Sequence, residues 1–451
     1  MALTGATLTN IAYALKEFYL PSLRNQLNED TILLKRVQRD EENVVGKDAT
    51  IFLKTGRNTS ASARNQVLPA PGVTVFSQTK IPMKKEYGRI EIEGIAIEAT
   101  KNDRGAIKRI VDNEMQGMSE ALKKDINRQL WGCGYGVLAR WSSGGSTALV
   151  VQKKYRANSA GGDGFGSTFG AKYIQPHDTD AMATQMVCVV LTGGSAIAID
   201  DTPMYPSVVT VGTVTDAITV SDPGVSEAAG TFYVHGDASE ASIYGTTAIT
   251  RREIMGLRGI VTDEVLDHIL TDGSTPGVTT DDTLQSLAIS ESWKGNVVYC
   301  GLPGGGTRYA QQNPLTLDDM QRAWDAGPEH LGAEYEPTLV LAPYALRRAL
   351  VADLEAARRF STMTLDGGYT AINFNGKPLV VDSDAIDGEI YFLYEPSLKI
   401  YRMSDFNWMD RDGAVLSRIK DYDAYEAVLY AYMEFGCDRR RANSVLVDID
   451  Y

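Results

Sequence analysis

Residues 106–132, AIKRIVDNEMQGMSEALKKDINRQLWG, restrict the possible folds more than any other stretch. Ile107, Ile110, Val111, Met115, Met118, Leu122, Ile126 and Leu130 recur at three- and four-residue spacing, a continuous apolar stripe. Lys108, Arg109, Asp112, Glu120, Lys123, Lys124, Asp125 and Arg128 cover the other side. Asn102 or Asp103 can cap the start by accepting orphan amide bonds, and Trp131-Gly132-Cys133-Gly134 supplies the stop. A span of about 28 residues predicts a helix about 40 Å long at ~1.5 Å per residue. No helix of matching length follows nearby. The pattern therefore predicts a spine across the back of a sheet-containing domain rather than one member of a bundle.

The segment before this helix has a different rhythm. In VTVFSQTKIPMKKEYGRIEIEGIAIEATKNDRG, Ile90 and Ile92 alternate with Glu91 and Glu93, the pattern of a half-buried strand. Gly94 breaks the phase, and Ile95 and Ile97 resume it, which predicts a bulge or bend at the glycine. Lys84, Lys85, Arg89, Glu91, Glu93 and Glu98 keep the segment charged. RNTSASARNQVLPAP, residues 57–71, reads as a long loop, easier to place at the tip of a projection than inside a compact domain. Residues 48–100 are thus expected to form a long two-stranded ribbon. Such a ribbon is marginal alone and would need a surface to lie on, most naturally another subunit.

Residues 141–250 are rich in Val, Thr, Gly, Ala and Ser in short runs between Gly/Ser turns, and read as an inserted β domain. MATQMVCVVL either pairs within it or belongs to the main core. From residue 293 the expectations are a strand at GNVVYC, helices at TLDDMQRAWDAG and PYALRRALVADLEAARRF, and a buried strand at TLVLAP between them. Three short strands follow, with turns at Asn375-Gly376 and Asp387-Gly388. The last stretch, from DYDAYEAVLYAYMEF to SVLVDI, reads as a long β segment that ties the C-terminus into a sheet.

At 451 residues the chain can hold two or three cores. Its net charge of -14 keeps it soluble and argues against nucleic-acid or membrane-surface binding as its main task. Copies of so acidic a chain repel one another, so an assembly of them must be held by buried surface. The four cysteines, Cys133, Cys188, Cys300 and Cys437, are scattered, which suits a reducing compartment. No signal peptide or membrane span is expected at the N-terminus.

The residues offer little chemistry. GLPGGGTR, 301–308, lacks the Lys-Ser/Thr of a phosphate loop, and GGDGFGSTFG, 161–170, lacks the strand–turn–helix setting of a dinucleotide fingerprint. Asp318-Asp319, and Asp421 with Asp423 at i and i+2 on a strand, could hold a divalent ion, although such spacings are common by chance. Asp272, Asp281 and Asp282 look like solvation. Ser195 is outside a GxSxG elbow, and His177 and His235 have no obvious partner. The reading is accordingly no catalytic, cofactor-binding or metal residue and no cofactor. The one tight basic cluster, DRRRA at 438–442, with Arg347, Arg348, Arg358 and Arg359, suits either phosphate contact or, preferably, acidic residues of a neighbouring copy.

The order of elements resembles the major capsid protein of tailed bacteriophages, the Hong Kong 97-like fold. SQTKIPMKKEYGRIEIEGIAIEATKNDRGAIKRIVDNEMQGMSEALKKDINRQLWG is similar to that family's extended loop running into its spine helix. PTLVLAPYALRRAL and NGKPLVVDSDAIDGEIYFLYE are similar to elements of its axial domain. The resemblance implies an α+β fold with residues 1–47 as N-terminal arm and 48–100 as extended loop. It makes 101–140 the spine helix, 251–292 and 419–451 the rest of a peripheral domain, and 293–418 the axial domain. Residues 141–250 depart from the simplest members as a β-rich insertion. The implied role is an icosahedral shell around double-stranded DNA in the virion, assembled in the bacterial cytoplasm. The implied partners are the chain itself in hexamers and pentamers, a separate scaffolding protein, a portal protein, decoration proteins and the packaged DNA. Some members crosslink a lysine to an asparagine of the next subunit; Lys80, Lys84 and Lys85 lie in the corresponding region, with no asparagine to name. An encapsulin-like compartment shell, an enzyme with a β-rich substrate domain and a glycan-binding protein are the rival readings.

Overall fold

The computed structural model describes residues 31–58, 60, 70–100, 110–132, 134, 137–144, 148–151, 186–191, 207–212, 217–221, 230–235, 253–262, 283–288, 290, 292–301, 313–356, 362–364, 370–386, 388–410 and 414–450. The architecture is α+β, with few helices and several sheets.

Within the predicted spine, Ile110–Gln129 is helical. Its stripe does what the spacing requires: Leu122, Ile126 and Leu130 are buried in one core with Leu429, Ala431, Met433 and Phe435 of the 14-residue strand Ala424–Cys437. That strand is antiparallel to Lys84–Glu93 on one side and to Leu398–Trp408 on the other. Gln38–Asp40 adds in parallel to Leu398–Trp408. Helix and sheet are in close contact at Gly88, where a Cβ would sit 2.5 Å from the Met118 sulfur. The short helix Ile32–Arg36 is pinned to the spine by the Leu34 amide, which donates to Asn127 Oδ1 at 3.1 Å.

The expected ribbon over 48–100 is shorter than its sequence suggests. The hairpin pairs Asp48–Gly56 with Val75–Pro82. After Met83 the chain leaves it, and Lys84–Glu93 joins the sheet under the spine. The reason is burial. Ile90 and Ile92 need an apolar neighbour on one face, and Ala427 with Met115 and Met118 provides it. The strand rhythm also ends earlier than expected. Gly94–Thr100 is a helix, not a bulge followed by more strand. The Gly94 amide donates to the Asp423 carbonyl at 2.8 Å, which closes the strand, and Ile97 then packs towards Val111 and Met115.

The second core lies around a seven-stranded sheet. Its order is Asn296–Tyr299, Ser444–Val447, Ile390–Leu393, Leu339–Ala342, Lys377–Val381, Thr370–Phe374, Thr362–Thr364. Helices Leu317–Leu331 and Tyr344–Ala356 belong to this part of the chain, with Met320, Trp324, Leu346 and Leu350 buried. Asn375 and Gly376 both have positive φ, 48° and 79°, as a tight two-residue hairpin turn requires. Ser444–Val447 runs parallel to Asn296–Tyr299, so the C-terminal segment is tied in as expected. It enters this second sheet, however, while Leu398–Trp408 belongs to the first. The two sheets therefore exchange strands across the divisions expected at residues 418 and 419.

Six strands form a sheet of their own, in the order Met186–Leu191, Gly230–His235, Val137–Gly144, Ala148–Val151, Ala217–Ser221, Ser207–Gly212. The MVCVVL run thus pairs with the β-rich segment and not with the main core.

Candidate functional site

The hairpin has one face that its own subunit leaves open. Register places Phe52 opposite Gln78, Lys54 opposite Phe76 and Thr50 opposite Lys80. Cross-strand pairs share a face, as do residues two apart, so both phenylalanines and both lysines point the same way. Phe52 is 75% exposed and Phe76 69%, with Val73 and Val75 open beside them. On the other face Ala49 and Ile81 are buried with Tyr401. Single exposed apolar residues need no explanation, but a cluster on a projecting hairpin marks an interaction surface.

Where the hairpin joins the spine, charged groups are concentrated. Arg128 donates to Asp125 Oδ1 at 2.9 Å and to Glu253 Oε1 at 2.6 Å. Gln129 Nε2 donates to Glu86 Oε2 at 3.1 Å and to Asp125 Oδ2 at 2.8 Å, and its carbonyl accepts from the Ile254 amide. Three carboxyl groups thus surround one guanidinium. Burial first, and then the Asp125 carboxylate, push the Glu86 carboxyl up to about 8. Burial likewise raises Glu253, which Arg128 opposes. One turn earlier, Lys124 Nζ lies 2.8 Å from Asp384 Oδ2, which also accepts from Asn127.

The structure separates the members of the basic cluster. Arg440 is fully buried and donates to the carbonyls of Ile260 at 2.9 Å, Trp293 at 3.0 Å, Thr262 at 3.1 Å and Gly259 at 3.5 Å. Its charge is spent on holding three segments together, which corrects the expectation of a phosphate or carboxylate partner for it. Arg439 is exposed and stacks on Tyr335, and Arg441 is half-buried. Arg347 stacks on Tyr344, and Arg348 is exposed.

The other candidates are dispersed. Thr316 caps Leu317–Leu331 by accepting from the Asp319 amide, and the Asp319 carboxylate accepts from Thr316 Oγ1, the Gly301 amide and Arg322. Burial would raise its pKa, but these bonds outweigh it and hold the carboxyl low. Asp318 is open to solvent. Burial, reinforced by Asp319, pushes the Cys300 thiol up to about 12, which makes it a poor nucleophile. Asp421 and Asp423 are not on a strand. They flank the exposed Tyr422 in the turn before Ala424, with Asp421 at φ 68°. Lys80 and Lys85 are exposed, and Lys84 is half-buried. Ser195, His177, Asp272, Asp281, Asp282, Arg358, Arg359 and residues 161–170 and 302–308 lie outside the described residues, as does the side chain of His235. Among the described residues no helix is long and apolar enough to cross a membrane. The open hairpin face and the carboxylate cluster were missed in the sequence, because alternation in TIFLK does not say which face is covered.

No protein-family model matches the chain, and no curated protein matches it. Solved structures do. The chain is similar to the cyanophage A-1(L) capsid asymmetric unit over 98% of its length and 99% of that chain, at 13% identity and a TM-score of 0.54. It also aligns with the capsid of the native GTA particle at 9% identity and TM-score 0.48, covering 100% of both chains. The SrpI encapsulin complex from Synechococcus elongatus PCC 7942 aligns at 9% identity and TM-score 0.45, over 99% of this chain and 97% of that one. The fold is therefore that of a phage capsid subunit along nearly the whole chain.

Proposed function

We propose that this chain is a major capsid protein of the Hong Kong 97-like type, a structural and non-catalytic subunit that self-assembles into the icosahedral shell of a tailed bacteriophage. The observation that carries this is the open aromatic face of the hairpin on a chain with the cyanophage capsid fold. Residues 48–82 act as the projecting part of the extended loop proposed for 48–100, laid over a neighbouring copy. Residues 1–47 are the arm. Residues 101–140, 251–292 and 419–451, with Leu398–Trp408, make the peripheral domain, except that Ser444–Val447 lends a strand to the axial sheet. The remainder of 293–418 is the axial domain, and 141–250 an insertion. Burying a phenylalanine is worth about 1.5–3 kcal/mol. With about seven-tenths of each ring still exposed, the pair offers about 2–4 kcal/mol per hairpin. Repeated around closed rings, that outweighs the repulsion between acidic copies. A separate scaffold, a portal, decoration proteins and packaged DNA are the further partners of this reading.

The test is to express the chain with any co-encoded scaffold and examine the product by electron microscopy. Closed shells are expected. A monodisperse monomer at every concentration would reject the reading.

A further inference from the structure

A cleft of about 330 Å³ lies between the strand Asp48–Gly56 of the hairpin and the body of the subunit. Its walls include Lys54, Trp293, Leu331, Tyr335, Arg439 and Arg441. Arg440 is committed to backbone carbonyls, but its neighbours are not used in that way. The Arg439 guanidinium lies over Tyr335, 5.4 Å from the ring centroid, with its side chain 46% exposed. The Nε of Arg441 is buried with no acceptor. Lys54 is exposed at the hairpin edge. One carboxylate, Asp438, sits at the mouth, 4.0 Å from Arg439. An aromatic and apolar slot rimmed by cations is unusual on a chain of net charge -14, and it fits an aromatic side chain flanked by carboxylates.

The subunit presents one such group. Asp421-Tyr422-Asp423 forms an exposed turn, with Tyr422 70% exposed between its two carboxylates. Lys420 precedes it, also exposed. The signs are complementary in detail: Lys420 for Asp438, and the two aspartates for Arg439 and Arg441. The turn cannot fill its own cleft. It stands at the start of Ala424–Cys437, and the cleft arginines follow directly after its end. Thirteen steps of ~3.3 Å separate the two sites by about 43 Å along a single strand.

We propose that the Asp421-Tyr422-Asp423 turn of one copy docks in the Arg439/Arg441 cleft of another, a head-to-tail contact of aromatic knob and cationic slot. Turn and cleft are different surfaces, so the contact is heterologous and propagates until it closes into a ring or shell. An acidic chain thus gains attraction between copies from the arginines that rim this cleft. Arginine's planar fork suits paired carboxylates. The contact rests on the self-assembly reading above.

Two arms test it. In the first, R439E/R441E and D421R/D423R each reverse one side, and a third chain carries all four changes. Each reversal is expected to cut shell yield by about tenfold or more, with the circular dichroism of the monomer unchanged, and the fourfold chain to recover most of the yield. Native yield from either reversal, or no recovery in the combination, overturns the contact. In the second, one population carries Tyr422→Cys and another Leu331→Cys; mixed and oxidised, they are expected to give a disulfide-linked heterodimer. Shells from the native chain with no such link sink this contact and leave the shell reading standing. If the native chain forms no shells, the shell reading fails, and the presence or absence of the link still decides the contact.

Discussion

Replacing Glu86 by glutamine removes a carboxyl at the hairpin–spine junction that burial keeps protonated at neutral pH. Its neighbours explain why. Asp125 and Glu253 face it from the helix and from the loop before Leu257–Ile260, Arg128 is already held by both, and Gln129 donates to it. The folded carboxyl titrates at about 8 against an ordinary 4.5. Between those values the folded chain binds a proton that the unfolded chain has released. The contribution of this group is thus fully present below about pH 4.5 and is lost as pH rises to about 8. At ~1.36 kcal/mol per unit, the loss approaches about 3 kcal/mol at pH 7 and about 5 kcal/mol above pH 8. Glutamine keeps the shape and the acceptor for Gln129 but has nothing to ionise. The entropy of unfolding is about 2.1 cal/mol/K per residue, so on a 451-residue chain the difference corresponds to about 3–5 °C. Thermal melts of the native chain and E86Q from pH 5 to pH 9 check this. The two curves should lie close together at pH 5, diverge up to about pH 8 and keep a constant gap above it, with E86Q the more stable. Parallel curves would show that Glu86 is an ordinary exposed acid and would refute the burial argument.

Three further outcomes are expected. F52S/F76S should leave monomer stability within about 0.5 kcal/mol, because exposed positions contribute little, yet reduce shell formation severely, as scored by sedimentation. R440M should cost about 3–5 kcal/mol in denaturant titration, since it strands buried carbonyls of two segments, 259–262 and Trp293; Arg440→Lys should not restore it, because one ammonium cannot reach all four carbonyls. Gly256→Ala should cost about 3 kcal/mol or more, because a Cβ there would lie 2.4 Å from the carbonyl oxygens of Gln129 and Gly132, and chemical denaturation of the purified chain reads it directly.

Periodicity in the chain was sufficient for elements whose burial is one-sided. The spine stripe, the strand at residues 339–342 and the turn at Asn375-Gly376 are local patterns; the structure places the strand and the turn as read and shows the spine as helix over Ile110–Gln129, while Asn102, Asp103 and Ile107 of that reading lie outside the described residues. A half-buried face at three- or two-residue spacing has few ways to be satisfied. Their order along the chain was enough to suggest the capsid fold. Partner choice was not legible. Lys84–Glu93 alternates equally well for a hairpin and for the sheet under the spine, and only the packing of Ile90 and Ile92 against Ala427, Met115 and Met118 selects the second. The DRRRA cluster reads as one patch, whereas three-dimensional packing divides it into a buried structural arginine and two that rim a cleft. Glu86, Asp125, Arg128 and Glu253 are spread over 168 residues of chain, so their mutual charge exists only once the fold brings them together. Local sequence sets which face of an element must be covered; what covers it depends on long-range geometry, because burial and Coulomb interaction act through space and not along the chain.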